Sequence, residues 1–573
     1  MPVSEDKKRR FEGNESAWRL AAAVAVVSGL FCLIVSILLI AHCAQMWAVK
    51  PLDNPLLLQL RKQLADAPVE DKHLVEQIRA LDFLARKAFF SSQAHLRMGG
   101  HLLLGGVIVL LISLKLAARW RPRPPAPPDE DISKEYWRSP ARAKELIAFA
   151  GLILVIMSLL AAYLTPMGIP DVSPEEAGEQ YWDSVRQNWP SFRGPGGYGV
   201  AYYTNAPTDW DGESGRNIKW KVEVPLPGAN SPVVWGNRLL LSGATKKVRE
   251  VYCYDTETGD LVWKNRVANL PGTPEAPPQV APDAGYAAPT LAVQDDKAFA
   301  IFANGDLVCY DLEGNQRWGL NVGVPVNHYG HSSSLIVYEK LLLVQYDDNS
   351  DAKLMAFNVE TGEQAWVTPR KNISWSSPAY IHTPLGVQLI LCSTEGVDAY
   401  NPRSGVLLWT EEECLSGEVG PSPAFGGSTV FVANEYAIAS AVRLDTSGDT
   451  TQTEVIWQWD EYLPEVASPV ATEKHFYIAT SLGDIVCLDI ETGAQVWIHE
   501  FDEGFYSSPI LVGDRIYALD VEGTMQIFKA GPQFELIGSP KLGEPTHATP
   551  AYLDGRIYVR TEKHIICIEE TSE

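Results

Sequence analysis

The 573-residue chain contains no adjacent pair of cysteines and no Cys-x-x-Cys-His segment. The first absence excludes a vicinal disulfide, and the second excludes covalent haem held by that motif. Only 8 cysteines are present, far too sparse for a fold stapled by disulfides. Basic charge is also scarce, with 47 Lys+Arg against 71 Asp+Glu. Residues 1–180 hold 21 basic and 19 acidic residues, whereas 181–573 hold 26 and 52, a net charge of −26. A surface this acidic repels nucleic-acid phosphate, so no nucleic-acid partner is expected. A hydrophobic content of 46% excludes a disordered chain, and 44 Gly with 39 Pro exclude a coiled coil. The length calls for more than one unit.

What is present in the first third is apolar sequence. No charge occurs from Leu20 to Val49, and Leu20–Ile40 is long enough to cross a bilayer as a helix. Met98–Leu114 and Leu146–Leu164 are two further apolar runs. The first run is too long for a cleaved signal peptide. Lys7, Lys8, Arg9 and Arg10 precede the first run, and Arg119, Arg121 and Arg123 follow the second. The positive-inside rule places both clusters in the cytoplasm. The expected organisation is a cytoplasmic N-terminus over 1–19 and membrane helices over 20–42, 99–117 and 145–165. A helical hairpin over 50–98 lies outside, a cytoplasmic loop runs over 118–144, and a linker over 166–187. Everything from residue 188 onward then lies outside the cytoplasm, held by a three-span membrane anchor.

The acidic part repeats itself. Cys253-Tyr254-Asp255 leads through Thr258-Gly259 to Trp263, and Ala356, Ala399 and Cys487 begin copies ending at Trp366, Trp409 and Trp497. Shorter or longer copies end at Trp318 and Trp457, and Phe528–Ile537 is degenerate. A landmark precedes each unit: Ser231-Pro232, Ala288-Pro289, Ser333-Ser334, Ser377-Pro378, Ser422-Pro423, Ser468-Pro469, Ser508-Pro509 and Thr549-Pro550. Their spacings of 40 to 57 residues, with four short strands each, predict propeller blades. Asp opens each turn by accepting backbone N–H groups, and Gly supplies a positive φ. Trp220, Trp263, Trp318, Trp366, Trp409, Trp457 and Trp497 are the expected docking residues between blades. The last unit stops short of its Trp strand, and an orphan strand, Ile218–Val222, precedes the first. That strand is expected to complete blade eight and remove the open edges. The fold class is therefore an all-β eight-bladed propeller preceded by an α-helical membrane anchor with three transmembrane helices.

The Ala/Cys-x-Asp-x-x-Thr-Gly-x-x-x-Trp unit resembles the repeat of the PQQ-like, quinoprotein-type β-propeller family. That family includes quinoprotein alcohol dehydrogenases and the BamB-type lipoprotein of outer-membrane assembly. Asn188–Pro195 is similar to the segment leading into such propellers. The resemblance covers about residues 188–570 and implies the fold; function lives in sites, not folds. The dehydrogenases hold PQQ and a calcium ion against a disulfide between adjacent cysteines, which this chain lacks. No catalytic residue can be carried over, and no metal ligand set has the required spacing, His328, His331 and His547 included. Only Asn265–Tyr286 is a sizeable insertion, leaving little decoration to enclose a cofactor. The expectation is a scaffold binding a protein, peptide or glycan outside the cytoplasm, without cofactor. The alternatives are an oxidoreductase using PQQ and Ca²⁺, and a ligand sensor signalling through the anchor.

Three residues before the second landmark position stand Tyr286, His331, Trp375, Tyr506 and His547. These positions begin the innermost strands, so the five are expected to ring one mouth of the channel as a binding site. Cys253, Cys309, Cys487 and Cys567 share one repeat position, which calls for a small, half-buried residue. Cys392 and Cys414 are expected to remain unpaired.

Overall fold

The computed structural model describes residues 18–36, 106, 109–120 and 181–570. The chain divides into two units, Met1–Gly178 and Glu179–Glu573.

In the first unit, one helix among the described residues, Trp18–Ser36, is long and apolar enough to cross a membrane. A shorter helix covers 109–119, inside the expected second span. Among the described residues, one candidate span is thus seen where three were expected. The span at 145–165 and the hairpin at 50–98 lie outside them. Ala21, Ala25, Ser28 and Cys32 are buried, while Leu20, Val24, Val27 and Phe31 are exposed. A Cβ on Gly29 would meet Leu110 at 3.8 Å, and one on Gly106 would meet Cys32 Sγ at 2.8 Å. The small residues Gly29 and Cys32 of the long helix therefore lie toward the second segment.

The second unit is a ring of eight four-stranded antiparallel sheets. Blade one runs β2 (Val233–Trp235), β3 (Arg238–Ala244), β4 (Arg249–Asp255) and β5 (Leu261–Arg266) from the channel outward. Six more blades follow in order. Blade eight is β30 (Ala551–Leu553), β31 (Arg556–Arg560) and β32 (His564–Glu569), finished by β1 (Ile218–Glu223) from the start of the domain. The orphan strand pairs antiparallel with β32, so the two ends of the ring are joined by hydrogen bonds and β32 is left with no unpaired edge.

One local design recurs in seven of the eight blades. The third strand pairs with the fourth through a bulge beside a small residue: Cys253 faces Trp263, Cys309 faces Trp318, Cys487 faces Trp497 and Cys567 faces Trp220. Ala356, Ala399 and Ala441 take that place in the blades ending at Trp366, Trp409 and Trp457. The bulge turns the indole toward the following blade. There it lies on the turn glycine: a Cβ on Gly259, Gly314, Gly362 or Gly493 would meet the ring of Trp220, Trp263, Trp318 or Trp457 at 2.7 Å. These glycines are held twice, by a φ between 68° and 92° and by the absence of a side chain. Five indole N–H groups donate to backbone carbonyls of the next blade, as Trp220 does to Thr256 O at 3.0 Å.

Three junctions depart from this pattern. Trp366 lies on Gly405, but its buried Nε1 finds no acceptor. Trp409 Nε1 donates to Gln388 Oε1 at 2.7 Å, and Gln388 Nε2 reaches Thr451 Oγ1 of the next blade at 2.7 Å. Blade seven ends in β29 (Leu536–Gly538), which has no Trp. There Trp210, 1% exposed, packs in one cluster with Ile527 and Ile557.

Candidate functional site

Around the channel the landmark hydroxyls tie each blade to the next. The amide of Ser231 donates to Thr290 Oγ1, that of Thr290 to Ser334 Oγ, and the series continues through Ser377, Ser422, Ser468 and Ser508 to Thr549 Oγ1. The seven bonds are 2.8 to 3.1 Å long. Their register corrects the sequence reading in two blades. The ring residues are Thr290 and Ser334, so the landmarks of blades two and three are Thr290-Leu291 and Ser334-Leu335. In blade two proline was the visible signal, but the hydroxyl is what the ring uses.

The correction moves two of the five expected mouth residues. His331 is buried (4% exposed), with Nε2 3.0 Å from Gly323 O. Burial depresses its basicity, and the Gly323 carbonyl and Asp347 only partly offset that. It is a core residue. Tyr286 is half-buried and donates to Pro278 O at 3.3 Å within the insertion. Trp375, Tyr506 and His547 keep their spacing, each two residues before a ring hydroxyl, at Ser377, Ser508 and Thr549. Trp375 packs edge-on to Tyr329 with ring centroids 5.3 Å apart, and Tyr506 lies 5.5 Å from His547.

The structure adds carboxylates that the sequence pattern did not single out. Tyr506 is held above its ordinary pKa by burial and by Glu465, Glu435 and Asp283. Tyr329 is raised by burial and by Glu418, Asp283 and Glu465. Four carboxylates from separate loops therefore share one mouth with the aromatic rings. Along the same rim, Tyr436, Tyr462, Val466 and Leu482 are exposed, Tyr436 at 96% and Leu482 at 80%. An exposed apolar patch bordered by charge is the usual mark of a docking surface. Nothing in the sequence pattern marked these residues, since these loops obey no repeat.

The opposite end of the channel is closed by the chain itself. Trp189 exchanges backbone hydrogen bonds with Val234, Pro190 O accepts from Val293, and Gly199 and Ala201 bond to Leu511. Between these anchors the segment crosses the axis. Arg193, 0% exposed, donates from Nη1 to Pro423 O at 3.0 Å and from Nη2 to Tyr198 O at 3.2 Å and to Pro469 O. Burial lowers its pKa to about 9, so it stays cationic at neutral pH with carbonyl dipoles as its partners. Gly194, Gly196, Gly197 and Gly199 all have positive φ. A Cβ on Gly197 would lie 3.0 Å from Pro378 O.

Against the expectation of little enclosure, the Asn265–Tyr286 insertion roofs a cleft of about 1060 Å³ beside the mouth, bordered by Tyr286, His547 and Arg560. The described residues contain no group of three or more His, Cys, Asp or Glu able to hold a metal ion. Cys392 and Cys414 are buried free thiols.

The family model described as outer membrane protein assembly factor BamB matches residues 175–325, 250–448 and 446–531. The BamB of Yersinia pestis is 24% identical over 290 residues, which are 47% of this chain and 70% of that protein. The BamB of Moranella endobia is 26% identical over 183 residues, 30% of this chain and 44% of its own length. Among solved structures, the quinohemoprotein alcohol dehydrogenase of Comamonas testosteroni matches with a TM-score of 0.50 at 12% identity. That match covers 69% of this chain and 84% of that one. It shows the fold alone.

Proposed function

The chain belongs to the outer membrane protein assembly factor BamB family, and from that premise we propose that its propeller is a protein-binding scaffold for envelope assembly. The observation that carries the reading is the asymmetry of the channel. Arg193 and its segment occupy one end, and the other presents Tyr506, His547 and the exposed rim to solvent, with Trp375 half-buried beside them. Aromatic anchors in a polar rim are what protein interfaces rely on. The carboxylates at Asp283, Glu418, Glu435 and Glu465 favour a basic partner surface and would speed its encounter.

We further propose that the propeller is tethered to the inner membrane and works on its extracytoplasmic side. The apolar Trp18–Ser36 helix and the basic clusters flanking the apolar runs support this. Reporter fusions after Gly13 and Arg123 should read cytoplasmic, and fusions after Asp66 and Glu573 extracytoplasmic. A cytoplasmic readout at Glu573 would refute the placement.

The scaffold reading is tested by placing a photocrosslinking residue at Tyr506 and, as a control, at Leu407 on an outer strand. The same discrete adduct should form in native membranes from the first position alone. It should disappear when Trp375 and Glu465 are replaced by Ala and Gln. Equal adducts at both positions would sink the reading. An oxidoreductase using PQQ and Ca²⁺ remains the alternative, and reconstitution with both plus an artificial electron acceptor tests it.

A further inference from the structure

Three arginines of the propeller are almost fully buried: Arg193, Arg370 and Arg560. A guanidinium away from water needs a counter-charge or a full set of acceptors. Arg370 has its carboxylate, Asp347 Oδ1 at 2.7 Å. Arg193 has the carbonyls of the closed channel end. Arg560, at the end of β31 and 2% exposed, donates from Nη1 to Asn230 Oδ1 and Ser242 O, both at 2.7 Å, and from Nη2 to Leu226 O at 3.2 Å. All three partners are neutral, and among the described residues no carboxylate pairs with Arg560.

Arg560 is also the one of the three that borders the 1060 Å³ cleft. Gly228 flanks it there: a Cβ at that position would sit 2.9 Å from Arg560 Nη2, so a side chain at 228 would come between the guanidinium and the cleft. The roof is the insertion, whose Pro277, Pro278, Val280 and Pro282 give the cleft an apolar wall. It is fixed by Ala281 N–H donating to His328 O at 3.2 Å and by the Tyr286 hydroxyl. The charged rim consists of Lys246 and His547 on one hand and Asp283 and Glu562 on the other. These are exposed and screened by water, which leaves Arg560 as the one buried charge.

We propose that this cleft binds a ligand with an apolar body and an oxyanion, carboxylate or phosphate, that is received by Arg560. A planar guanidinium offers such a group two parallel N–H bonds, and it is the side chain best shaped for that fork. Burial holds the pKa of Arg560 down at about 10; the side chain is still charged at neutral pH, and a bound anion would offset its desolvation. The site adjoins the protein-docking mouth and shares Asp283 and His547 with it, but its anion-receiving group, Arg560, is not part of that mouth.

Titrating the full-length protein in nanodiscs with 2-naphthoate, 2-naphthyl phosphate and uncharged 2-naphthamide, followed by naphthyl fluorescence, tests the proposal. At least one anion should bind tenfold or more tighter than the amide, and the tighter of the two identifies the headgroup. Arg560→Gln should remove that preference. Lys246→Glu, an exposed turn substitution that leaves the blade intact, should weaken the anion two- to fivefold and leave the amide unchanged. Should Arg560→Gln fail to fold, the anion-to-amide ratio and Lys246→Glu still decide. Equal binding of amide and anions, no binding of any probe at millimolar concentration, or an anion affinity indifferent to Lys246→Glu would each overturn the proposal. Replacing Trp375 should not alter naphthoate binding, so failure here and failure of the scaffold reading remain distinguishable.

Discussion

At the closed end of the channel nearly every polar group is spent on the chain itself, while at the open end aromatic rings and carboxylates meet water. Residues from Trp189 to Gly199 are mostly buried, bonded through the backbone to blades one, two and seven, with Arg193 on the axis. At the open end, Tyr436, Leu482 and Tyr506 make no contact that the ring needs, and loop sequences there follow no period. The lesson is that one repeat can serve two masters. The turns facing the lead-in are constrained by it, and the loops of the other face are left for recognition.

Substitutions should separate the two ends by what they damage. The largest effect is expected from deleting Arg216–Val224, which removes β1 and leaves β32 with an unpaired edge. The propeller should lose its cooperative melt or acquire protease sensitivity near the C-terminus. A domain that melts like the parent would disprove the closure.

Next comes Arg193→Ala. It strands the carbonyls of Pro423 and Pro469 and empties the axis, for a loss of about 3–5 kcal/mol in unfolding free energy. A loss below about 1 kcal/mol by chemical denaturation would mean that the segment merely lies on the ring.

Glu544 is the exception that sharpens the contrast, because it is a structural residue in a loop of the open face. Burial opposes its ionisation, but hydrogen bonds from Lys221, Thr561 and His564 outweigh that and bring its pKa to about 2. A carboxyl depressed in the folded state adds stability that is complete above its unfolded pKa and lost as pH falls through the folded value. The native protein should therefore lose on the order of 2–3 kcal/mol between roughly pH 5 and pH 2 through this group. Glu544→Gln should flatten that part of the stability profile, and an unchanged acid limb would assign the tie to other groups.

The smallest effect on stability belongs to Trp375→Ala with Tyr506→Ala. The melting temperature should shift by only a few degrees, while partner crosslinking is abolished. A large destabilisation would make the rim part of the core.

How far the molecule could be read in advance follows the same division. The blades, their number and the closing strand were legible because Trp, Gly and the small residue opposite Trp recur with the period of the fold. The landmark register slipped in blades two and three, where Ala288-Pro289 carries a proline but Thr290 carries the hydroxyl that bonds to Ser231. The role of Arg193 was hidden because it occurs once, and a single residue has no period. The rim carboxylates and the Arg560 cleft were out of reach for a related reason. They come together from distant loops, and only the closed ring makes them neighbours.

The contact of Trp on Gly has a further consequence for how such a ring can change over time. Each unit contributes the indole of one joint and the glycine of the other, so its own Trp and its own Gly never touch. Trp263 rests on Gly314, and Trp318 rests on Gly362. A duplicated unit inserted anywhere in the series would find a matching half on either side without new complementarity being invented. Gain or loss of a whole member is thereby easier than reshaping one, except beside blade seven, where Trp210 is borrowed from outside the series and ties that place to this particular count.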